Sequence, residues 1–116
     1  MNRKEIKINV DLDNNNIPEK LSWEADDSTS AGPKPIKAVS VNLWDGENGG
    51  QTLRIDLWDK ELNTHEMKRF FIDSLGGWSQ TLLNSTGDEF MANEINKLCD
   101  KLSEHHMKEL KKDQGK

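Results

Sequence analysis

Three features of this 116-residue sequence predict an α+β fold, a four-stranded antiparallel sheet made of two hairpins and followed by two helices packed on one face. Apolar and polar residues alternate over several stretches of the first half, as strands with one buried face require. After Leu62 the apolar spacing lengthens from period 2 to about 3.6, the repeat of a helix. Turn-forming residues separate the periodic segments, so strands come first and helices second.

The first strand is marked by Ile6, Ile8, Val10 and Leu12, which alternate with Lys7, Asn9, Asp11 and Asp13. Asp13 to Asn16, DNNN, tolerate turn geometry. The following IPEKLSWEAD resumes the alternation with Leu21, Trp23 and Ala25. From Asp26 the segment DDSTSAGPKP is rich in turn formers and poor in apolar anchors, which predicts either a flexible surface loop, over residues 26–37, or a crossover between the hairpins.

The second hairpin spans residues 38–58. Burying its aliphatic residues together sets Leu43 opposite Leu53, Val41 opposite Ile55 and Val39 opposite Leu57, because a one-residue slip would divide that set between faces. The same register sends Trp44 opposite Thr52, Asn42 opposite Arg54, Ser40 opposite Asp56 and Ala38 opposite Trp58, all on the face turned away from the helices. Two tryptophans then bracket a polar strip. Indoles left in water are costly and tend to mark contacts. Two other arrangements are open: the first strands, the loop or the C-terminal tail covers the rings, or a bulge in DGENGG changes the parity.

Asn63 with Glu66 three residues on is a capping-box start, with Thr64 as the alternative cap. Met67, Phe71, Leu75, Trp78 and Leu82 follow at helical spacing, with Phe70 beside them. Gly76-Gly77 costs a helix about 1 kcal/mol per glycine relative to alanine. The pair is expected either to admit a close backbone neighbour or to break the helix. Thr86-Gly87-Asp88 ends the first helix and caps a second, in which Met91, Ile95, Leu98 and Leu102 continue the pattern, with Leu110 later. The tail 111–116 is expected to fray, leaving an ordered core of about residues 4–110 in one domain. Trp23, Trp78 and the helical Phe and Met residues are expected in the core.

A net charge of −5 and a pI near 5.2 argue against binding nucleic acid or an anionic membrane surface. With 32% charged residues and a mean hydropathy of −0.88, the chain has no apolar run near the roughly 20 residues of a membrane span. The N-terminus, MNRKEIKINVDLD, is not a signal peptide. Cys99 is the single cysteine, so no internal disulfide forms, and a reducing cytoplasm is expected.

Chemistry is sparse. Asp11, Asp13 and Asn15 open like a calcium loop, but Asn16 stands where glycine is needed and Ser22 where the bidentate glutamate is needed. His105 and His106 are adjacent, so on a helix they point about 100° apart and read as solvated surface. His65, Asp56, Ser40 and Ser79 are the candidates for catalysis and fall in no local motif. The turn GENGG lacks the lysine and helix start of a phosphate loop. No enzyme activity, metal or cofactor is expected.

The segment TLRIDLWDKEL continuing into HEMKRFF, with the preceding LWD, the early strand and IPEKLSWEA, resembles the gliding-motility protein GldC family of Bacteroidota. The likeness runs from Glu5 to about His106 and departs most at the loop from Asp27 to Lys37 and at Gly76-Gly77. It implies a cytoplasmic, non-enzymatic accessory of the motility apparatus and of its associated secretion machinery. The residues themselves suggest an interaction module whose surface comprises Asn42, Trp44, Arg54, Asp56 and Trp58, facing a protein partner or a second copy in a homo-oligomer. The alternative is a holdase, because four strands followed by two helices is also the element order of the SecB export chaperone.

Overall fold

The computed structural model describes residues 2–26, 32–47 and 49–114. The chain divides into two compact units, Met1–Leu62 and Asn63–Lys116.

The first unit holds β1 (Ile6–Leu12), β2 (Pro18–Ala25), β3 (Lys34–Ile36), β4 (Ala38–Trp44) and β5 (Thr52–Trp58). All neighbouring strands are antiparallel, but they form a three-stranded sheet β1-β2-β3 and a two-stranded sheet β4-β5 instead of the single four-stranded sheet expected. The cause is β3, which lies inside the segment expected to be a flexible loop. Its Lys-Pro-Ile pairs with Trp23, Ser22 and Leu21, occupying the edge of β2 that a second hairpin would have needed. Pro35 has no N–H to donate, which suits so short a strand to a sheet edge. Residues 27–31 of the expected loop lie outside the described residues.

The β1–β2 register sets Ile6 against Ala25, Ile8 against Trp23 and Val10 against Leu21, as the alternation requires. Asp13 closes the turn, its Oδ1 accepting from the N–H groups of Asn15 at 2.8 Å and Ile17 at 3.1 Å, while Asn16 takes the left-handed φ of 62°. These two backbone donors, and then Lys60, hold the Asp13 carboxyl below the usual aspartate range. Leu21, 3% exposed, is the centre of this unit. Trp23 is half-buried, with Lys34 Nζ 5.3 Å from its ring centroid. Asp59 N–H donates to Lys37 O, and Lys60 N–H donates to Pro18 O, tying the end of β5 to the three-stranded sheet.

The second unit is a helical hairpin of α1 (Thr64–Thr86) and α2 (Glu89–Gln114). The capping box forms as expected: Glu66 N–H donates to Asn63 Oδ1 at 2.8 Å and Asn63 N–H donates to Glu66 Oε1 at 3.2 Å. Gly87, at φ 72°, ends α1 by donating to Leu83 O, and Asp88 Oδ1 accepts from Met91 N–H to start α2. The helix runs unbroken through Gly76-Gly77, and among the described residues no atom beyond the helix's own adjacent backbone lies within 4 Å of where a Cβ at either would sit. α2 continues to Gln114, into the segment expected to fray. Asp113 is held there by His65, its Oδ2 lying 2.6 Å from Nε2. Gly115 and Lys116 lie outside the described residues.

The helices meet along a seam that the apolar spacing identifies only at Leu75, Leu82, Ile95 and Leu102. On α1 it follows His65, Lys68, Ile72, Leu75, Ser79 and Leu82; on α2 it follows Ala92, Ile95, Cys99, Leu102, His106 and Glu109. The alternating steps of three and four are those of a coiled coil. Ser79 Oγ donates to Ala92 O at 3.0 Å, Cys99 Sγ lies 3.9 Å from Ile72 O, and Lys68 Nζ reaches both Glu109 oxygens at 2.9 and 2.8 Å. The Lys68 hydrogen bonds and charge hold the Glu109 carboxyl below its ordinary range. His65 and His106 stack, with Nδ1 of the first 3.3 Å from Nε2 of the second. A proton on His65 Nε2 facing Asp113 leaves Nδ1 to accept from His106.

Two expectations are corrected by this seam. Trp78 is 49% exposed and Phe71 50% exposed, and Phe90, Met91 and Met107 are exposed as well, so these are not core residues. His106, expected on the surface, is buried, while His105 is exposed. More than half of these seam residues are polar or small, and the aromatic residues sit about one position to the side.

Candidate interaction surface

The β4–β5 ribbon carries the candidate site, and its register agrees with the parity argument at all seven positions, from Ala38↔Trp58 to Trp44↔Thr52. Turn chemistry preserves that parity. Asp45 Oδ1 accepts from the N–H groups of Glu47 and Gln51, both at 3.1 Å, and Gly50 N–H donates to Glu47 O at 2.7 Å. The Gln51 bond, then the Glu47 bond, lowers the Asp45 pKa.

Asn42, Trp44, Arg54, Asp56 and Trp58 are brought together on one face and all are exposed, Trp44 at 71% and Trp58 at 50%. Between the rings runs a short polar strip. Ser40 Oγ donates to Asp56 Oδ1 at 2.6 Å, and Arg54 Nη2 lies 3.4 Å from the same oxygen. The Ser40 bond first, and Arg54 second, hold the Asp56 carboxyl below its usual range. Asp56 therefore presents a fixed anion at neutral pH.

Trp44 lies over the turn. A Cβ built on Gly50 would come within 2.4 Å of Trp44 Nε1, and one on Gly46 within 3.5 Å of Cζ3. One side of the indole packs against bare glycine backbone while the remainder is open. Glycines two and six residues after a tryptophan at a strand end are the signal for this contact, and reading them only as turn formers misses it. Gly50 also has φ 79°, so two independent constraints favour glycine there.

The opposite face of the ribbon departs from expectation. Val39, Val41 and Leu57 are half-buried, but Leu43, Leu53 and Ile55 are exposed, so the aliphatic set does not form a closed core at the turn end. Both faces of the distal ribbon are available for contact.

The candidate catalytic residues are engaged in structural bonds. Ser79 is buried and bonds across the helical seam, Ser40 bonds Asp56, and His65 joins His106 and Asp113. Among the described residues no group of three or more His, Cys, Asp or Glu is placed to hold a metal ion. A groove of about 830 Å³ in the strand unit is lined by Leu21, Pro35 and Ile36 together with Lys20, Asp59 and Lys60.

The model of a family described as gliding motility-associated protein, GldC-like, matches residues 18–108, from β2 through most of α2 and including the whole ribbon. The chain belongs to the GldC-like family. Neither a curated protein nor a solved structure matches it. Membership associates the chain with gliding motility, and it supplies no catalytic or binding residue. Among the described residues no helix is long and apolar enough to cross a membrane.

Proposed function

We propose that this GldC-like chain is a non-enzymatic, cytoplasmic accessory of the gliding apparatus that binds a protein of the motility or associated secretion machinery through the outer face of the 38–58 hairpin. The observation that carries this reading is the exposure of Trp44 and Trp58 at the two ends of the Ser40–Asp56–Arg54 strip. Tryptophan and arginine are the residues most often found at the energetic centre of protein interfaces, and an oriented anion between two indoles adds directional recognition.

The test is capture of partners from native lysate with wild type beside the Trp44→Ala, Trp58→Ala double variant. The variant is expected to keep its circular dichroism and thermal midpoint while losing specific partners; unchanged capture, or collapse of the fold, would remove the ribbon face from the proposal. A second reading, a holdase for unfolded chains, is favoured by the exposed Leu43, Leu53 and Ile55 on the other face of the same ribbon. Suppression of aggregation of an unrelated unfolded protein, lost on replacing those three by serine, would select it.

A further inference from the structure

The three-stranded sheet ends on one side in β1, and among the described residues no strand pairs with the outer edge of β1. Main-chain direction alternates along an antiparallel strand, so half of its N–H and C=O groups face that edge. Asp26 N–H donates to Glu5 O and Asp13 N–H donates to Ile17 O, which turns the odd-numbered residues of β1 towards β2. Ile6, Ile8, Val10 and Leu12 therefore direct their main-chain groups outwards. The register shift between Asp11 and Leu12 is taken up on β2 at Glu19, so β1 itself carries no extra residue. Natural sheets blunt such an edge with proline, a very short strand or a lysine. β1 has seven residues and no proline, and Ile6, Ile8 and Leu12 are exposed. It does carry Lys7, but Asp11 four residues on changes what that lysine excludes.

We propose that β1 pairs antiparallel with β1 of a second copy about a two-fold axis through Asn9, joining two three-stranded sheets into one. In that register Ile6 lies opposite the partner's Leu12, Lys7 opposite the partner's Asp11 and Ile8 opposite the partner's Val10, and each pairing recurs in reverse, as an isologous contact requires. The outward main-chain groups of Ile6, Ile8, Val10 and Leu12 then exchange hydrogen bonds in pairs. Lys7 and Asp11 fall at the intervening positions, where opposed side chains come closest.

Charge complementarity selects a second copy as the occupant. Within the chain Lys7 lies opposite Glu24 and Asp11 opposite Lys20, and among the described residues neither Lys7 nor Asp11 is held in an ion pair. The new pairing extends these into a row of four, Glu24, Lys7, the partner's Asp11 and the partner's Lys20, with the sign alternating throughout. A uniformly basic or acidic segment would meet a like charge at Lys7 or at Asp11, whereas a second copy meets opposite charges at both. On the other face the row reads Leu21, Val10, the partner's Ile8 and the partner's Trp23, so the apolar side of the sheet continues across the axis. Other registers lose this match. A slip of one residue sets the aliphatic face of one strand against the polar face of the other, a shift of two shortens the ladder and parts Lys7 from Asp11, and a shift of four sets Lys7 against Lys7 or Asp11 against Asp11.

The mass of the full chain in sedimentation and light scattering tests this. Wild type is expected to show at least the mass of two chains, and Lys7→Glu or Asp11→Lys alone is expected to halve it. Combining the two should restore the wild-type mass, although both changes oppose like charges within the chain at Glu24 and Lys20, so recovery can arise only across the axis. Ile8→Pro removes an outward N–H and leaves the bonds to β2 in place, and should also halve the mass while the dichroism is retained. In a Cys99→Ser background, oxidation should link Asn9→Cys into covalent dimers and leave Asn42→Cys unlinked, because Cα atoms at an axial position of this kind lie about 4.5 Å apart, within reach of a disulfide. A wild-type mass of one chain, a folded double variant that stays at half mass, or equal linking at both cysteines would overturn the proposal. So would a dimer dissolved by Trp44→Ala, Trp58→Ala and not by Lys7→Glu, which would move the contact to the ribbon.

Discussion

The β4–β5 ribbon and the α1–α2 hairpin are both pairs of antiparallel elements joined through a left-handed glycine, Gly50 in one and Gly87 in the other. They hold register by different means. In the ribbon, partner strands are joined by main-chain bonds, and most side chains on both faces are exposed towards its turn end. In the helical pair every main-chain bond of α1 and α2 is spent within its own helix, so alignment falls to side chains such as Ser79, Lys68 and His65. The ribbon should therefore tolerate changes of side chain and resist changes of backbone, and the helical pair the reverse.

The largest expected departure tests the side-chain half of that contrast. Ala92 is 2% exposed and faces the Ser79 hydroxyl. Ala92→Leu should overpack the seam and cost about 1–3 kcal/mol, read as a lower midpoint of helical dichroism. On the ribbon, Asn42→Leu should stay within about 0.5 kcal/mol. Equal losses would erase the distinction.

The backbone half is sharpened by Gly50→Ala. Holding alanine in the left-handed region costs about 1–2 kcal/mol, and the new Cβ must displace the indole of Trp44, so a loss of stability should accompany a changed tryptophan emission. Asn63→Ala removes the capping box of α1 and should cost about 1 kcal/mol without disturbing the ribbon, which hydrogen exchange resolved by residue would show.

The smallest effect is expected with acid. The folded pKa values of Asp13 and Asp45 lie below the ordinary value, so their contribution is present above about pH 4 and is lost as pH falls through the lowered folded values. Amide protection at Ile17 and Gln51 should fade in that window. Glu109 is lowered by Lys68, so the open end of the helical pair should loosen over a similar range.

The same contrast explains what the sequence made legible. Strand parity has only two outcomes, and one aliphatic set selects between them, so every ribbon pair and the outward direction of both tryptophans could be reasoned from Val39 to Trp58. Helical spacing is graded: a stripe centred on Phe71 and Trp78 differs from the seam at Ile72 and Ser79 by one residue. Hydrophobicity marked the former because the seam includes His65, Lys68, Ser79, His106 and Glu109. The β3 strand was illegible for another reason. Three residues, one of them proline, are too few to show a period, and their pairing depends on a vacant edge of β2. The caps at Asn63 and Asp88 were readable because each depends on a residue type at a fixed offset.

The polar rungs of the helical seam have a mechanical consequence. Ser79 with Ala92 lies towards Gly87, Lys68 with Glu109 and His65 with His106 lie towards the open end, and all three are satisfied together only in one alignment. Shifting one helix along the other by a turn would sever all three at once, whereas parting the free ends breaks them singly, histidines and lysine first. Under load such a pair should peel from its open end, where α1 starts and α2 finishes, towards Gly87 and not slide. A pull on the end of α2 would be met by a sequence of small yields.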